Sequence, residues 1–371
     1  MQLHQLMVLL DEMAPLAYAE DFDNTGLLVG NPQQSVDKIL VTLDTLESVV
    51  DEAIAKQCNC IVSFHPIIFS GLKKLTGRTY VERAVLKAIK NDIAIYAIHT
   101  ALDNHWEGVN AKICAQLELT DRQILIPKTD SIKKLVTFVP ENKIEDVRNA
   151  LFEAGAGNIG NYSHCSFNST GLGSFRPEEN SNPTTGQHGH TSFEQETRLG
   201  ITFHKHREKA VMKALFESHP YDEVAYEVTT LENINQQLGM GMIAQLPDAM
   251  QEENFFNYLK EKMNVSVIRH SALRDKPVKK IAVLGGSGAF AIGAAKAKGA
   301  DVFISADFKY HDFFQAEDSI VLADIGHYES EQFTKDLIVT TLTKKITNFA
   351  PALEKPEVLI SEINSNPISY F

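Results

Sequence analysis

A strand-helix-strand pattern that occurs once near each end constrains the fold of this chain more than any other feature. Near the start, Lys38-Ile39-Leu40-Val41-Thr42-Leu43 is a largely apolar run rich in β-branched residues, as expected of a strand buried on both faces of a parallel sheet. Leu46 to Lys56 then carries apolar residues at helical spacing, and Cys60-Ile61-Val62 reads as a second strand. Tyr80 to Lys90 reads as another helix, and Ile93-Ala94-Ile95-Tyr96-Ala97-Ile98 as a third strand. Near the other end, Lys280 to Leu284, a small-residue helix over Ala289 to Lys298, Asp301 to Ile304 and Ile320 to Ala323 repeat the pattern. Such alternation calls for parallel sheets with right-handed crossovers. Leu43, Ala55-Lys56 and Ile61-Val62-Ser63 can be laid over Leu284, Ala297-Lys298 and Phe303-Ile304-Ser305, with leucine-to-serine separations that differ by one residue. The two ends are therefore expected to be an internal duplication. A different topology in the two units would refute it.

Between them the pattern changes. Leu135 to Val139 reads as a strand, Glu141 to Glu153 as a helix with an apolar stripe, Leu199 to Phe203 as a strand, Glu208 to Glu217 as a helix and Val224 to Val228 as a strand. With one further strand that these runs do not locate, the order is read as the β-α-β-β-α-β of a ferredoxin-like α+β domain. The expected organisation is an α/β half over 1–127, an inserted ferredoxin-like domain over 128–233 and a second α/β half over 234–371. Gly171 to Ser192, rich in Gly, Ser, Asn and Pro, is expected to be a mobile surface loop.

A chain of 371 residues has room for such an arrangement, and its formal charge of -13 disfavours nucleic acid and anionic lipid as partners. Cys58, Cys60, Cys114 and Cys165 form no C-x-x-C pair and read as free thiols. No basic leader and no apolar run of transmembrane length is evident, so the expected location is the cytoplasm.

Ligands of open parallel sheets collect at the carboxyl ends of strands. There the sequence places His65 after the second strand, His99 with Asp103 after the third, Asp307 with His311, and His327 with Glu331. Each pair has i, i+4 spacing, which offers an imidazole and a carboxylate on one helix face. A lone pair of this kind is more often a solvated contact than a site. Their recurrence at neighbouring strand ends points to a mixed N/O site for one or two divalent cations. His188, His190, His204 and His206 read as surface features. The turn Gly285-Gly286-Ser287-Gly288 has three readings: a relaxed dinucleotide fingerprint running to Ala291, an imperfect nucleophile elbow, or a tight strand-to-helix turn, the last favoured, with room for an anionic group.

Several of these segments resemble the NIF-three-like family, whose bacterial members are known as GTP cyclohydrolase 1 type 2 homologs. The likeness spans essentially the whole chain. It rests on Asp23-Asn24-Thr25-Gly26-Leu27, Ser63-Phe64-His65-Pro66-Ile67-Ile68-Phe69, His99-Thr100-Ala101-Leu102-Asp103, the Gly285 to Gly288 turn, Asp307-Phe308-Lys309-Tyr310-His311 and Gly326-His327-Tyr328-Glu329-Ser330-Glu331. Within the insertion, Ser174-Phe175-Arg176-Pro177 and His219 to Tyr226 carry it, and the resemblance makes this module similar to PII and CutA proteins. It implies a dinuclear metal centre in which His65, Asp103, His327 and Glu331 are ligands, and a toroidal homohexamer. The first histidine of the family's His-His-Pro motif is Phe64 here. Either a second ion binds weakly, or His99 or His311 substitutes, or the site holds one ion.

The function expected on these grounds is a metal-dependent, hydrolase-like protein acting on a small molecule or nucleotide, GTP by the family name only. His65, Asp103, His327 and Glu331 would hold Zn, Mn, Fe or Mg, and His99 or His311 would serve as base or proton donor. The alternative is a regulatory scaffold that senses a small molecule through the insertion, the metal being structural.

Overall fold

The computed structural model describes residues 1–349 and 355–371. The chain divides into two units, one formed by Met1–Ile126 with Gln237–Phe371 and the other by Pro127–Gln236.

The first unit begins with helix α1 (Leu3–Met13), strands β1 (Gly26–Val29) and β2 (Lys38–Thr42), helix α2 (Glu47–Ala55) and strand β3 (Cys60–Ser63). Helix α3 (Tyr80–Lys90), strand β4 (Ala94–Ala97), helices α4 (Thr100–Asp103) and α5 (Val109–Gln116) and strand β5 (Thr120–Pro127) follow. The second unit holds β6 (Ile132–Pro140), α6 (Ile144–Glu153), β7 (Phe167–Phe175), β8 (Ser192–His204), α7 (Glu208–Ser218) and β9 (Tyr226–Leu231). The chain then returns to the first unit through β10 (Gly239–Met250), α8 (Glu252–Met263), β11 (Arg269–His270), β12 (Val278–Ser287) and α9 (Ile292–Ala297). It ends with β13 (Val302–Ala306), β14 (Val321–Asp324), α10 (His327–Glu331), α11 (Thr334–Phe349) and β15 (Glu357–Ile360). No described helix is long and apolar enough to cross a membrane.

The first unit is a mixed α/β body with parallel and antiparallel pairings. One sheet has the order β1-β4-β3-β2-β15, the other β11-β14-β13-β12-β10-β5. In the first, β2, β3 and β4 run parallel and β1 lies antiparallel on β4. In the second, β12, β13 and β14 run parallel and β11 lies antiparallel on β14. The two strand-helix-strand units thus share order and sense, which is the outcome a duplication requires. They differ at the far edge, where β15 adds parallel to β2 but β10 adds antiparallel to β12. One core joins inner faces of both sheets, through Val41, Val62 and Tyr96 on one side and Val283, Ile304 and Ala323 on the other, with Leu6, Leu10, Phe255, Ile338 and Leu342 from the helices. Outer clusters around Leu40 and Ile61 and around Ala282 and Phe303 bury the opposite faces. That two-sided burial is why these strands read as apolar runs rather than alternating ones.

The second unit is a four-stranded antiparallel sheet, order β7-β8-β6-β9, with α6 and α7 against one face. Residues 171–192 differ from the expectation of one mobile loop. Gly171–Phe175 lie in β7, paired with β8 from Glu196 to Ser192. The connection that follows is stitched down: Asn182 N donates to Asp222 Oδ2 (2.9 Å), Thr184 Oγ1 to the Pro220 carbonyl (3.0 Å) and Gly189 N to the Pro177 carbonyl (2.8 Å). The turn at Gly285–Gly288 is also corrected. Strand β12 continues through Ser287, Gly286 has φ +70°, and helix formation begins only after Gly288.

Candidate metal centre

In the first unit the parallel strands deliver their following residues to one place. Asp44 comes after β2, His65 after β3, His99 after β4, Asp307 after β13, and His327 opens α10 after β14. Three of these exits use left-handed backbone: Asp307 at φ 59°, and His99 at φ 39° and Gly326 at φ 93°, the last two each immediately before a short helix.

His65 Nε2 lies 3.1 Å and His327 Nε2 3.3 Å from the same oxygen, Glu331 Oε2, and the three ligand atoms lie within 4.8 Å of one another. The outward nitrogens are already committed. His65 Nδ1 is 2.9 Å from Asp44 Oδ1, His327 Nδ1 2.7 Å from Asp307 Oδ2, and His99 Nδ1 2.8 Å from Asp23 Oδ1. Asp23 is itself fixed through its other oxygen, which accepts from Thr100 N and Thr100 Oγ1. A carboxylate on Nδ1 fixes the tautomer and turns Nε2 inward, the outer arrangement found around metal-ligating histidines.

Despite these short separations, Glu331 Oε2 is buried with no hydrogen bond of acceptable geometry, and Asp103 Oδ1 is buried without any partner. Donors aimed at a common point rather than at each other suit a cation between them, and an orphaned buried carboxylate oxygen is otherwise costly. The chemistry of the set agrees, since two imidazoles with carboxylates suit divalent transition metals.

Electrostatics follow from this geometry. Burial opposes charge on His65, yet Asp44 and Glu331 push its pKa up to about 10. Burial likewise opposes charge on His327, and Glu331 and Asp307 raise it to about 9. Burial would raise Glu331, but the His327 and His65 imidazoles hold it well below the usual carboxylate range. Asp103 goes the other way: burial and the adjacent Glu331 charge raise it well above the usual range.

A cavity of about 210 Å³ opens onto the cluster, lined by His99, Asp103, His327, Glu331, Asn110 and the Gly285–Ser287 backbone, with Phe22 and Phe290 at its rim. The structure therefore brings together His65, His327 and Glu331, with Asp103 and His99 on the same cavity. It does not bring His311 there. That side chain is exposed, its ring against Tyr310 (5.2 Å) and Phe314 (6.0 Å). The i, i+4 argument fails at Asp307 and His311 because Asp307 has φ 59° and the segment after it, Tyr310–Ala316, is a 3-10 helix. Asp307 turns to His327 instead. Phe64 is fully buried, its ring 4.9 Å from that of His65 and 5.7 Å from that of His99, so this position forms an apolar wall and offers no donor.

Asp44 was absent from the sequence-based site, although its place two residues beyond β2 is the same strand-end signal that marked His65. The glycine turn takes a structural role. Gly285 N donates to Asn110 Oδ1 (3.0 Å) and Gly286 N to Ser330 Oγ (2.9 Å), so neither amide faces a phosphate. A Cβ at Gly286 would lie 2.5 Å from Glu331 Oε1 and 3.3 Å from His327 Nε2, on a left-handed backbone. Gly286→Ala is accordingly expected to displace Glu331 and weaken divalent-metal binding roughly 10–100-fold, the range for changes around a ligand. Titration of the metal-free variant measures this; unchanged affinity would show that Glu331 does not bind the ion.

The profile of the Duf34/NIF3 family (NGG1p interacting factor 3) matches residues 1–367. A Bacillus subtilis protein named GTP cyclohydrolase 1 type 2 homolog is 39% identical over 371 residues, covering 99% of this chain and 98% of that one. A Staphylococcus epidermidis protein of the same name is 33% identical over 371 residues, covering 100% of both. Among solved structures, a Bacillus cereus protein related to NIF3 superposes with TM-score 0.88 at 36% identity, covering 100% of this chain and 99% of that one.

Proposed function

The chain belongs to the Duf34/NIF3 family, and from that premise we propose that it is a metal-dependent, hydrolase-like protein in which His65, His327, Glu331 and Asp103 hold one divalent ion. The observation that carries this reading is the convergence of His65 Nε2 and His327 Nε2 on Glu331 Oε2, a buried oxygen with no hydrogen bond of its own, with each imidazole clamped from behind by a carboxylate. A divalent ion supplies Lewis-acid polarisation and makes water a usable nucleophile near neutral pH.

The remaining work falls to the protein. Asp23 fixes His99 through Nδ1, which leaves Nε2 on the cavity side as the group that takes or returns a proton. Asp44 and Asp307 hold the two ligating rings in orientation. One ion per chain is favoured because Phe64 offers no nitrogen and only one donor group of this kind occurs among the described residues.

The rim favours a substrate that carries a flat ring. Phe22 is 65% and Phe290 61% exposed at the cavity mouth, and Phe69, tilted against Phe22 at 6.4 Å, also faces the ring of His99. Aromatic faces left open beside polar chemistry suit stacking of a heterocycle. With the relatives' name, this makes a purine nucleotide such as GTP the first substrate to try. The inserted module enters as a ferredoxin-like domain by its strand order, with no part in the chemistry.

Metal analysis and a turnover screen test the proposal together. The purified protein is expected to retain one ion per chain and to turn over a nucleotide or phosphoester with Mn, Zn, Fe or Mg, with turnover lost in His99→Ala while the metal stays. An ion retained with no turnover of any nucleotide or phosphoester would favour a structural metal and remove the hydrolase reading.

A further inference from the structure

We propose that the second unit contains a binding site for a small organic cation, in a cavity of about 430 Å³ on the face of its sheet away from the helices. This site is independent of the metal centre and stands whether or not that centre binds an ion.

Strand alternation builds its floor. Leu135 and Val139 on β6 and Leu199 and Ile201 on β8 point into the core beneath α6 and α7. Phe138 on β6 and Glu196 on β8, of the opposite alternation, therefore face the other way, as does Arg198, which lines the neighbouring groove rather than this cavity. The roof is the stitched connection after β7. Two segments that stood out in the sequence meet at this cavity although some forty residues separate them along the chain: Phe175 and Arg176 from one, Tyr221 and Asp222 from the other. A volume of this size lies within the roughly 300–1,000 Å³ of small-molecule pockets.

The lining specifies the ligand's charge. Glu178, Glu196, Asp222 and Glu223 contribute four carboxylates against the single cation of Arg176, which already lies 3.7 Å from Glu178. Asp222 is spent on the loop, accepting from the amides of Asn182 and Glu223. Glu223 is exposed, so Glu196 is the half-buried carboxylate left for a ligand. Tyr221 Oη donates to its Oε1 at 2.9 Å, and among the described residues nothing donates to its Oε2. That oxygen lies over Gly173, where a Cβ would approach it to 2.2 Å, so the carboxylate rests on bare backbone beside the cavity. The half-buried Phe138, Phe175 and Tyr221 line the same cavity. An anionic oxygen in a cavity that also carries three aromatic side chains suits an ammonium or guanidinium with an apolar body, through ion pairing and cation–π contact.

Calorimetric titration of the full-length, metal-loaded protein tests this, with phenethylamine as the probe and phenethyl alcohol as its uncharged counterpart. Phenethylamine is expected to bind once per chain and the alcohol roughly tenfold or more weakly. Glu196→Gln, which keeps the acceptor for Tyr221, is expected to weaken the amine by a similar factor, and Phe175→Ala to weaken it by a smaller one. Should Glu196→Gln disturb folding, Phe175→Ala decides. No binding at millimolar amine, equal binding of amine and alcohol, or parental affinity in both variants would overturn the proposal.

Discussion

Glu331→Ala is expected to strip the metal from this protein, with affinity falling by more than about 100-fold, beyond the roughly 10–100-fold of outer-sphere changes. Glu331 Oε2 is the one atom that both inward nitrogens approach, at 3.1 and 3.3 Å, and its side chain is only 3% exposed. Alanine removes the carboxylate on which both imidazoles converge. Asp307→Ala is the matched control. It takes away the carboxylate behind His327 Nδ1 and leaves all donors in place, so its loss should stay within the outer-sphere range. Chelator-competition titration of the three proteins reads the ladder. Equal losses for both variants, or none for Glu331→Ala, would mean that the inward atoms do not bind the ion.

Metal affinity should also climb steeply with pH. With His65 raised to about 10 and His327 to about 9, both rings carry a proton at neutral pH in the metal-free protein. An ion can use Nε2 only after the proton leaves, so the two imidazoles alone release about two protons on binding near pH 7 and affinity changes roughly 100-fold or more per pH unit, the raised Asp103 carboxyl adding to the count wherever it is still protonated. The sign is fixed by the direction of the shifts: a raised pKa strengthens the proton as competitor, so acid weakens the complex. The slope flattens as pH passes 9 and then 10, where His327 and then His65 lose their protons unaided. Titration in buffers of different ionisation enthalpy counts the released protons directly. A count near zero would mean that the imidazoles are neutral or are not ligands.

Much of the α/β body was legible because its central strands are buried on both faces. The runs at 38–43 and 93–98 had no other stable use, and the histidines that follow β3, β4 and β14 mark the end at which ligands gather. Strand β7 was missed for the opposite reason. Phe167–Phe175 is exposed along most of its length, so it has little hydrophobic period to read and is held by its ladder to β8. Pairings across the chain were equally silent: β15 joins β2 through Leu359 opposite Leu40, which no local pattern announces. At the site, spacing on a regular helix identified His327 with Glu331, whereas Asp307 left that spacing where the backbone turns left-handed. Asp23 could be read as part of a motif, but its hold on His99, 76 residues away, belongs to the fold. The second unit's cavity was invisible for the same reason, since its floor and roof come from separate strands and a loop.

An anomalous-difference map, collected at the absorption edge of a bound divalent metal in crystals of the loaded protein, tests the central claim most directly. The account predicts one peak per chain, about 2.0–2.2 Å from Nε2 of both His65 and His327, with Glu331 Oε2 in contact and Phe64 closing the side where a second ion would need a nitrogen. No peak within that cluster, or one held by other residues, would contradict it.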